Sequence, residues 1–266
     1  MKKATLLSIV ITCILFFGCK NETQKIENIE ELNQIPQKEK DPLDSITEIQ
    51  EKDLANAYFY VLAPNGLLLR KSDNLNSEKI LTIPFGEKVK QKSLIYTANL
   101  TVENIHGSMM EVIYNGVTGY VFSGFLSPFA MPIKEEPIKD YINRLKEVHS
   151  NISFKENPTD PDFHEGTEET ITLPTKNWHE AFYIAKASYN IPLSLIFPGH
   201  NGLKKETINQ EDKEDYIWSS VLMVSRNEKK LDTIQYNWRT EGGGYWVTIT
   251  KPVANQFKIE YTGFAD

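Results

Sequence analysis

Cysteine occurs twice in the 266 residues, at Cys13 and Cys19. A thiol nucleophile needs a nearby histidine base, and a zinc-thiolate centre needs several cysteines. The body of the chain after residue 19 holds no cysteine, which excludes both chemistries there, and a disulfide framework with them. Carboxylates are plentiful instead. Asp160, Asp162, His164, Glu165, Glu168 and Glu169 crowd one stretch. Oxygen ligands at alternate loop positions can hold calcium. This stretch lacks the sharp-turn glycine and the flanking helices of a calcium loop, so it reads as a solvated acidic loop.

Glu211, Asp212, Glu214 and Asp215 supply further acids. Glycoside hydrolysis asks for two carboxylates about 5–9.5 Å apart across a sugar cleft. No spacing marks out such a pair. His179-Glu180 belongs to no His-Glu-x-x-His motif, and Glu180 stands three residues after Asn177, as in a helix-capping box. Gly242-Gly243-Gly244 precedes the strand-like Tyr245-Trp246-Val247, whereas a phosphate cradle opens a helix. A turn or bulge explains the glycines. These residues define no metal set and no cofactor motif.

Aromatic residues carry the remaining candidate chemistry. Tyr58, Tyr60, Tyr120, Phe122 and Phe125 divide between a small core and a shallow platform, with Arg70 close by in sequence. Trp246 alternates with Tyr245, Val247 and Ile249, which puts it on a wet sheet face beside Arg239 and Glu260. The candidate ligand-binding set is Tyr58, Tyr60, Arg70, Tyr120, Phe122, Arg239 and Trp246. The net charge of −7 argues against nucleic acid as a partner.

The N-terminus reads as a targeting segment over residues 1–18. Lys2 and Lys3 lead an apolar run, Leu6 to Phe17, that is too short to span a bilayer. Leu15-Phe16-Phe17-Gly18-Cys19 resembles the bacterial lipobox, with Phe16 where leucine is usual. The resemblance implies lipidation of Cys19 and a membrane anchor. Lys20 after the cysteine favours the outer membrane by the same resemblance. Residues 19–56 hold no aromatic residue and are acidic and polar, as in a disordered tether. As a flexible coil it would span roughly 30–35 Å.

Residues 57–128 carry short strand patterns punctuated by turns. Asn65-Gly66-Leu67-Leu68-Leu69-Arg70, Pro84-Phe85-Gly86-Glu87-Lys88-Val89 and Gly119-Tyr120-Val121 follow one another. This order resembles the bacterial SH3 (SH3b) family. The resemblance implies an SH3-like barrel that binds cell-wall peptidoglycan or an envelope protein. The family's usual tryptophan is missing near His106 to Met110, and Ser93 to Ile105 is a longer connection than the family has.

Residues 134–266 read as an α+β domain of no recognised family. Ile138, Tyr141, Ile142, Leu145 and Val148 keep a helical spacing over 137–149, and Trp178 to Tyr189 forms a second helix ended by Asn190 and Pro192. Leu193 to Phe197 is expected as a strand. Four strand-like runs, 216–226, 231–240, 245–250 and 256–262, predict a terminal antiparallel meander. The fold expected from sequence is therefore a small all-β SH3-like barrel followed by an α+β domain. The functional expectation is a non-catalytic, membrane-anchored envelope lipoprotein. The alternatives are a carboxylate-dependent cell-wall hydrolase and an inhibitor or immunity-type protein that binds a secreted enzyme.

Overall fold

A computed structural model describes residues 57–93, 99–158 and 166–265. The signal-like segment 1–18, Cys19 and the 19–56 tether lie outside the described residues, as do Asp160, Asp162, His164 and Glu165. The described residues belong to one compact unit.

The first half contributes nine strands, β1 (Tyr58–Val61), β2 (Leu67–Arg70), β3 (Lys79–Ile83), β4 (Lys88–Gln91), β5 (Leu100–Val102), β6 (Ile105–Gly107), β7 (Met109–Tyr114), β8 (Val117–Phe122) and β9 (Leu126–Ser127). Seven of them form one antiparallel sheet in the order β3-β2-β8-β7-β4-β1-β9. β5 and β6 stand apart as a two-stranded ribbon. The ribbon occupies the long connection between β4 and β7. Its Glu103-Asn104 turn has both residues at positive φ, 47° and 64°.

The second half opens with α1 (Ile138–Lys146), then β10 (Ser153–Pro158), β11 (Thr167–Leu173) and α2 (Trp178–Ser188). β12 (Lys205–Asn209), β13 (Ser219–Asn227), β14 (Lys230–Thr240), β15 (Gly243–Val253) and β16 (Gln256–Ala265) follow. They form a second seven-stranded sheet, β10-β11-β16-β15-β14-β13-β12, with every neighbouring pair antiparallel.

This architecture corrects the expected fold class. The described residues hold two seven-stranded sheets and only two α-helices, of nine and eleven residues. The protein is mostly β, not an SH3-like barrel followed by an α+β domain. The first sheet runs in an open order, because β9 adds outside β1 and β3 ends the other side. In the second half, segments not expected as strand also join the sheet. β10 ends just before the acidic stretch, the start of β11 takes in Glu168 and Glu169 from it, and β12 forms a polar edge whose residues alternate between exposed and half-buried.

Leu193 to Phe197 is irregular rather than a strand. Prolines bracket it, and side chains engage its carbonyls in place of a ladder. Lys186 Nζ donates to the Leu193 and Leu195 carbonyls at 2.9 and 2.6 Å. Asn104 Nδ2 donates to the Phe197 carbonyl at 3.2 Å.

The two helices bury themselves differently. α1 is amphipathic, with Tyr141, Ile142 and Leu145 inside. α2 buries eight of its eleven residues. A helix that is apolar nearly all round belongs inside a core. Accordingly Trp178 meets Phe257 of the second sheet edge-to-face at 4.8 Å, while Tyr183 meets Phe125 of the first half at 6.0 Å. α2 is thus the shared core of both halves. Each fully buried Phe or Ile along it contributes about 1.5–3 kcal/mol.

Candidate ligand cleft beyond the end of helix α2

Strand register puts Trp238, Tyr245, Gly263 and Thr167 in one cross-strand row, and Tyr236, Val247, Tyr261 and Glu169 in the next. Directly paired residues share a sheet face. This face also carries Ile249, Ile259, Phe257 and Ile171, all buried in the core with α2. The eleven residues of α2 rise only about 16 Å, whereas an eleven-residue strand extends about 36 Å. The helix therefore covers part of the face and then stops. Tyr189 caps it, Asn190 turns left-handed at φ 52°, and Pro192 bars continuation.

The uncovered remainder is a cleft of about 680 Å³. Rings line it in sequence. Tyr189 stacks on Tyr261 at 4.9 Å and 10°, Tyr261 lies 5.5 Å from Tyr245, and Tyr245 stacks on Trp238 at 5.3 Å and 27°. Gly263 keeps the floor open: a Cβ there would meet the Tyr261 hydroxyl at 2.7 Å. At the rim, Gly243 pairs with Thr240 across a tight hairpin. Its φ of 135° and a carbonyl 2.4 Å from any added Cβ require glycine.

Three buried polar atoms at the cleft have no hydrogen-bond partner: Glu169 Oε2, Ser188 Oγ and Tyr189 Oη. Glu169 and Tyr189 lie close enough to perturb each other's titration, yet no hydrogen bond of standard geometry closes between them. Burial holds the Glu169 carboxyl above its ordinary value, with Glu156 adding to the rise and Tyr189 opposing it. Burial likewise pushes the Tyr189, Tyr245 and Tyr261 phenols up. Among the described residues, Glu169 is the one carboxylate that lines the cleft. An unpartnered buried polar group costs about 1–3 kcal/mol, so three together mark a place where a ligand's hydroxyls would be stabilising.

The chain is similar to Outer surface protein C of Borreliella burgdorferi. The identity is 28% over 192 residues, covering 68% of this chain and 82% of that protein. No family model matches the chain. No solved structure matches it. No helix among the described residues is long and apolar enough to cross a membrane.

The residues singled out in the sequence fall in several places. Tyr58 is exposed and Tyr60 half-buried on β1, and Lys88 Nζ sits 4.1 Å above the first ring and 6.0 Å from the second. Arg70 pairs with Tyr120 across β2 and β8, and its guanidinium donates to the Ser77 carbonyl at 2.7 Å. Arg70 and Phe122 both border a cavity of about 200 Å³ with Leu75 and Val102. Phe122 is buried, with its ring 5.8 Å from Phe125. β1 and β8 are separated by β4 and β7, so these five residues do not converge on one surface.

Trp246 and Arg239 both approach Phe264. The Trp246 ring lies 5.4 Å from Phe264, and the Arg239 guanidinium lies 5.7 Å over the same ring. They occupy the outer face, opposite the cleft. Trp246 stays 39% exposed, so no loop covers it.

The cleft residues Glu169, Ser188, Tyr189, Trp238, Tyr245 and Tyr261 were absent from the sequence-derived set. One signal for them existed. Thr167, Glu169, Ile171 and Leu173 alternate, which places Glu169 on the inner face of a strand rather than in a loop.

Proposed function

We propose that this protein is a lipid-anchored surface protein of the bacterial envelope that binds a cell-wall glycan in the cleft beyond α2, without cleaving it. The observation that carries the reading is the row Tyr189–Tyr261–Tyr245–Trp238 beside three unpartnered polar atoms. A sugar offers flat C–H faces to aromatic rings and a rim of hydroxyls to a carboxylate and hydroxyl groups. The cleft volume lies within the roughly 300–1,000 Å³ of small-ligand sites. A hydrolase would need a second carboxylate across the sugar, and among the described residues the lining supplies Glu169 alone.

Supporting features lie outside the cleft. The lipobox-like ending at Cys19 and the polar tether suit a protein held at a membrane surface. The similarity to an outer surface protein points the same way.

The test is co-sedimentation of the full chain with purified sacculi and with short peptidoglycan oligosaccharides as competitors. Wild type should pellet and the competitors should release it. Trp238→Ala should pellet at least tenfold less while keeping its circular dichroism spectrum. Equal pelleting of the folded variant would overturn the cleft assignment. Release of soluble sugar by wild type, lost in Glu169→Gln, would replace binding by hydrolysis.

A further inference from the structure

The opposite end of α2 faces a second cavity, of about 410 Å³. Five separate segments bring cationic or proton-accepting side chains to it. His106 comes from β6, Lys176 and His179 from the start of α2, His200 from the loop before β12, Lys230 from β14 and Lys251 from β15. Among the described residues, no aspartate or glutamate lines the cavity. Among the described residues no carboxylate pairs with Lys176, Lys230 or Lys251. This concentration of like charge occurs in a chain whose net charge is −7.

The local geometry is built rather than incidental. Gly199 has φ 69°, and a Cβ there would meet the Asn104 side chain at 2.4 Å. The close approach locks the His200 loop against the β5–β6 ribbon. His200 Nδ1 accepts the Leu231 amide at 3.3 Å, which leaves its Nε2–H as the remaining donor. Lys251 Nζ donates to the Lys176 carbonyl at 3.3 Å, tying two of the lysines together.

The helix start adds to the field. Asn177 occupies the N-cap position, but its side chain makes no cap hydrogen bond. Glu180, expected to complete a capping box, instead accepts from the buried Thr175 hydroxyl. Trp178 and His179 of the first turn line the cavity, and the helix start has no side-chain cap from Asn177. A helix N-terminus carries roughly half a positive charge.

We propose that this cavity is a binding site for a phosphate group, delivered as inorganic phosphate or as a phosphate monoester. Lys251 and Lys230 supply point charges, His200 supplies Nε2–H, and the first turn of α2 supplies amide donors. A dianion matches three lysines and a helix start better than a monocarboxylate does. Burial, then neighbouring charge, holds both histidines below the ordinary value: His200 acts on His179, and His106, Arg226 and Lys251 act on His200, so a bound anion would oppose the charge contribution at each. The site is independent of the glycan cleft, which lies at the other end of the helix.

The experiment is titration of the full chain at pH 7 and low salt with inorganic phosphate, glycerol 3-phosphate and succinate, read by calorimetry and by the histidine ring signals in NMR. Either phosphate should bind at millimolar concentration or tighter and move the His179 and His200 signals. Tighter binding of glycerol 3-phosphate assigns the monoester; the reverse assigns the free ion. Lys251→Glu, a change at an exposed position, should weaken binding at least tenfold with the fold intact. Lys230→Glu provides an independent second variant. The proposal is overturned if neither phosphate binds, if succinate binds equally well, or if both folded variants bind like wild type.

Discussion

The two ends of α2 present opposite surroundings within one core. The start, at Asn177 to His179, faces three lysines and three histidines and no carboxylate. The end, at Ser188 to Asn190, faces four stacked rings and one buried carboxylate. The helix itself contributes only His179 to the first set and Ser188 to the second, so most of the contrast comes from the segments packed around it. Its polarity matches the contrast: amide donors emerge at the start and carbonyl acceptors at the end. An anion is stabilised at the first end. At the second, the Glu169 carboxyl is held above its ordinary value, chiefly by burial, with Tyr189 opposing the rise and Glu156 adding to it. One buried helix thus separates a cavity lined by lysines and histidines from a cleft lined by aromatic rings.

The sharpest way to break the contrast is to remove the helix. Phe182 is fully buried, with its ring 5.8 Å from Phe197 and 5.5 Å from Tyr183. Phe182→Ala should cost about 3–5 kcal/mol. Urea denaturation would measure it, and phosphate and glycan binding should fail together. Loss of one binding activity with the other intact would show that α2 does not support both sites.

Next in size are the changes that separate the ends. Trp238→Ala should cut glycan binding about tenfold, or ~1.4 kcal/mol, and leave phosphate titration unchanged. Lys251→Glu should do the reverse. Crossed effects in either variant would sink the claim that the sites are independent.

The pH dependence comes third. Burial, then His200, pushes His179 down to about 4. Between about 4 and the ordinary histidine value near ~6.5 the unfolded chain holds a proton that the folded chain lacks. Stability should therefore rise with pH through that window, and His179→Gln should flatten the rise. The charged groups around it are His106, His200, Lys176, Lys230 and Lys251, so added phosphate should also reduce the slope. Melting temperatures at several pH values would decide this, and an unchanged slope in the variant would refute it.

The smallest expected effect is at the other end. The Glu169 carboxyl is raised, so the folded chain keeps a proton that the unfolded chain has released as pH climbs above the ordinary glutamate value. Wild-type stability falls through that window, whereas Glu169→Gln has no such fall. The variant should gain on wild type between mildly acid and neutral pH, by less than the core substitution costs. A difference that stays constant with pH would show that Glu169 is not destabilised by its surroundings.

Much of the second sheet was legible from residue order. The alternation of Ile234, Tyr236 and Trp238 and of Phe257, Ile259 and Tyr261 fixes which faces turn inward, and β14 and β16 contain the expected runs. The helices over 138–146 and 178–188 follow from their spacing and stop signals. β12 and β10 escaped because edge strands with polar side chains lack an apolar period. The first sheet escaped as a barrel because local turns specify which strands pair with their neighbours, not whether the outermost strands close.

By itself, then, the sequence determined the β-rich strand periodicity, the two helices and the absence of thiol chemistry, since each is set by residue type within a few positions. Tertiary structure alone decided where α2 stops along the strands, and so left Trp238, Tyr245, Tyr261 and Glu169 lining a cleft. It alone gathered His106, His179, His200 and three lysines from five segments. The reason is geometric: a helix rises about 1.5 Å per residue and a strand about 3.3 Å, and only their packing against each other reveals the uncovered length.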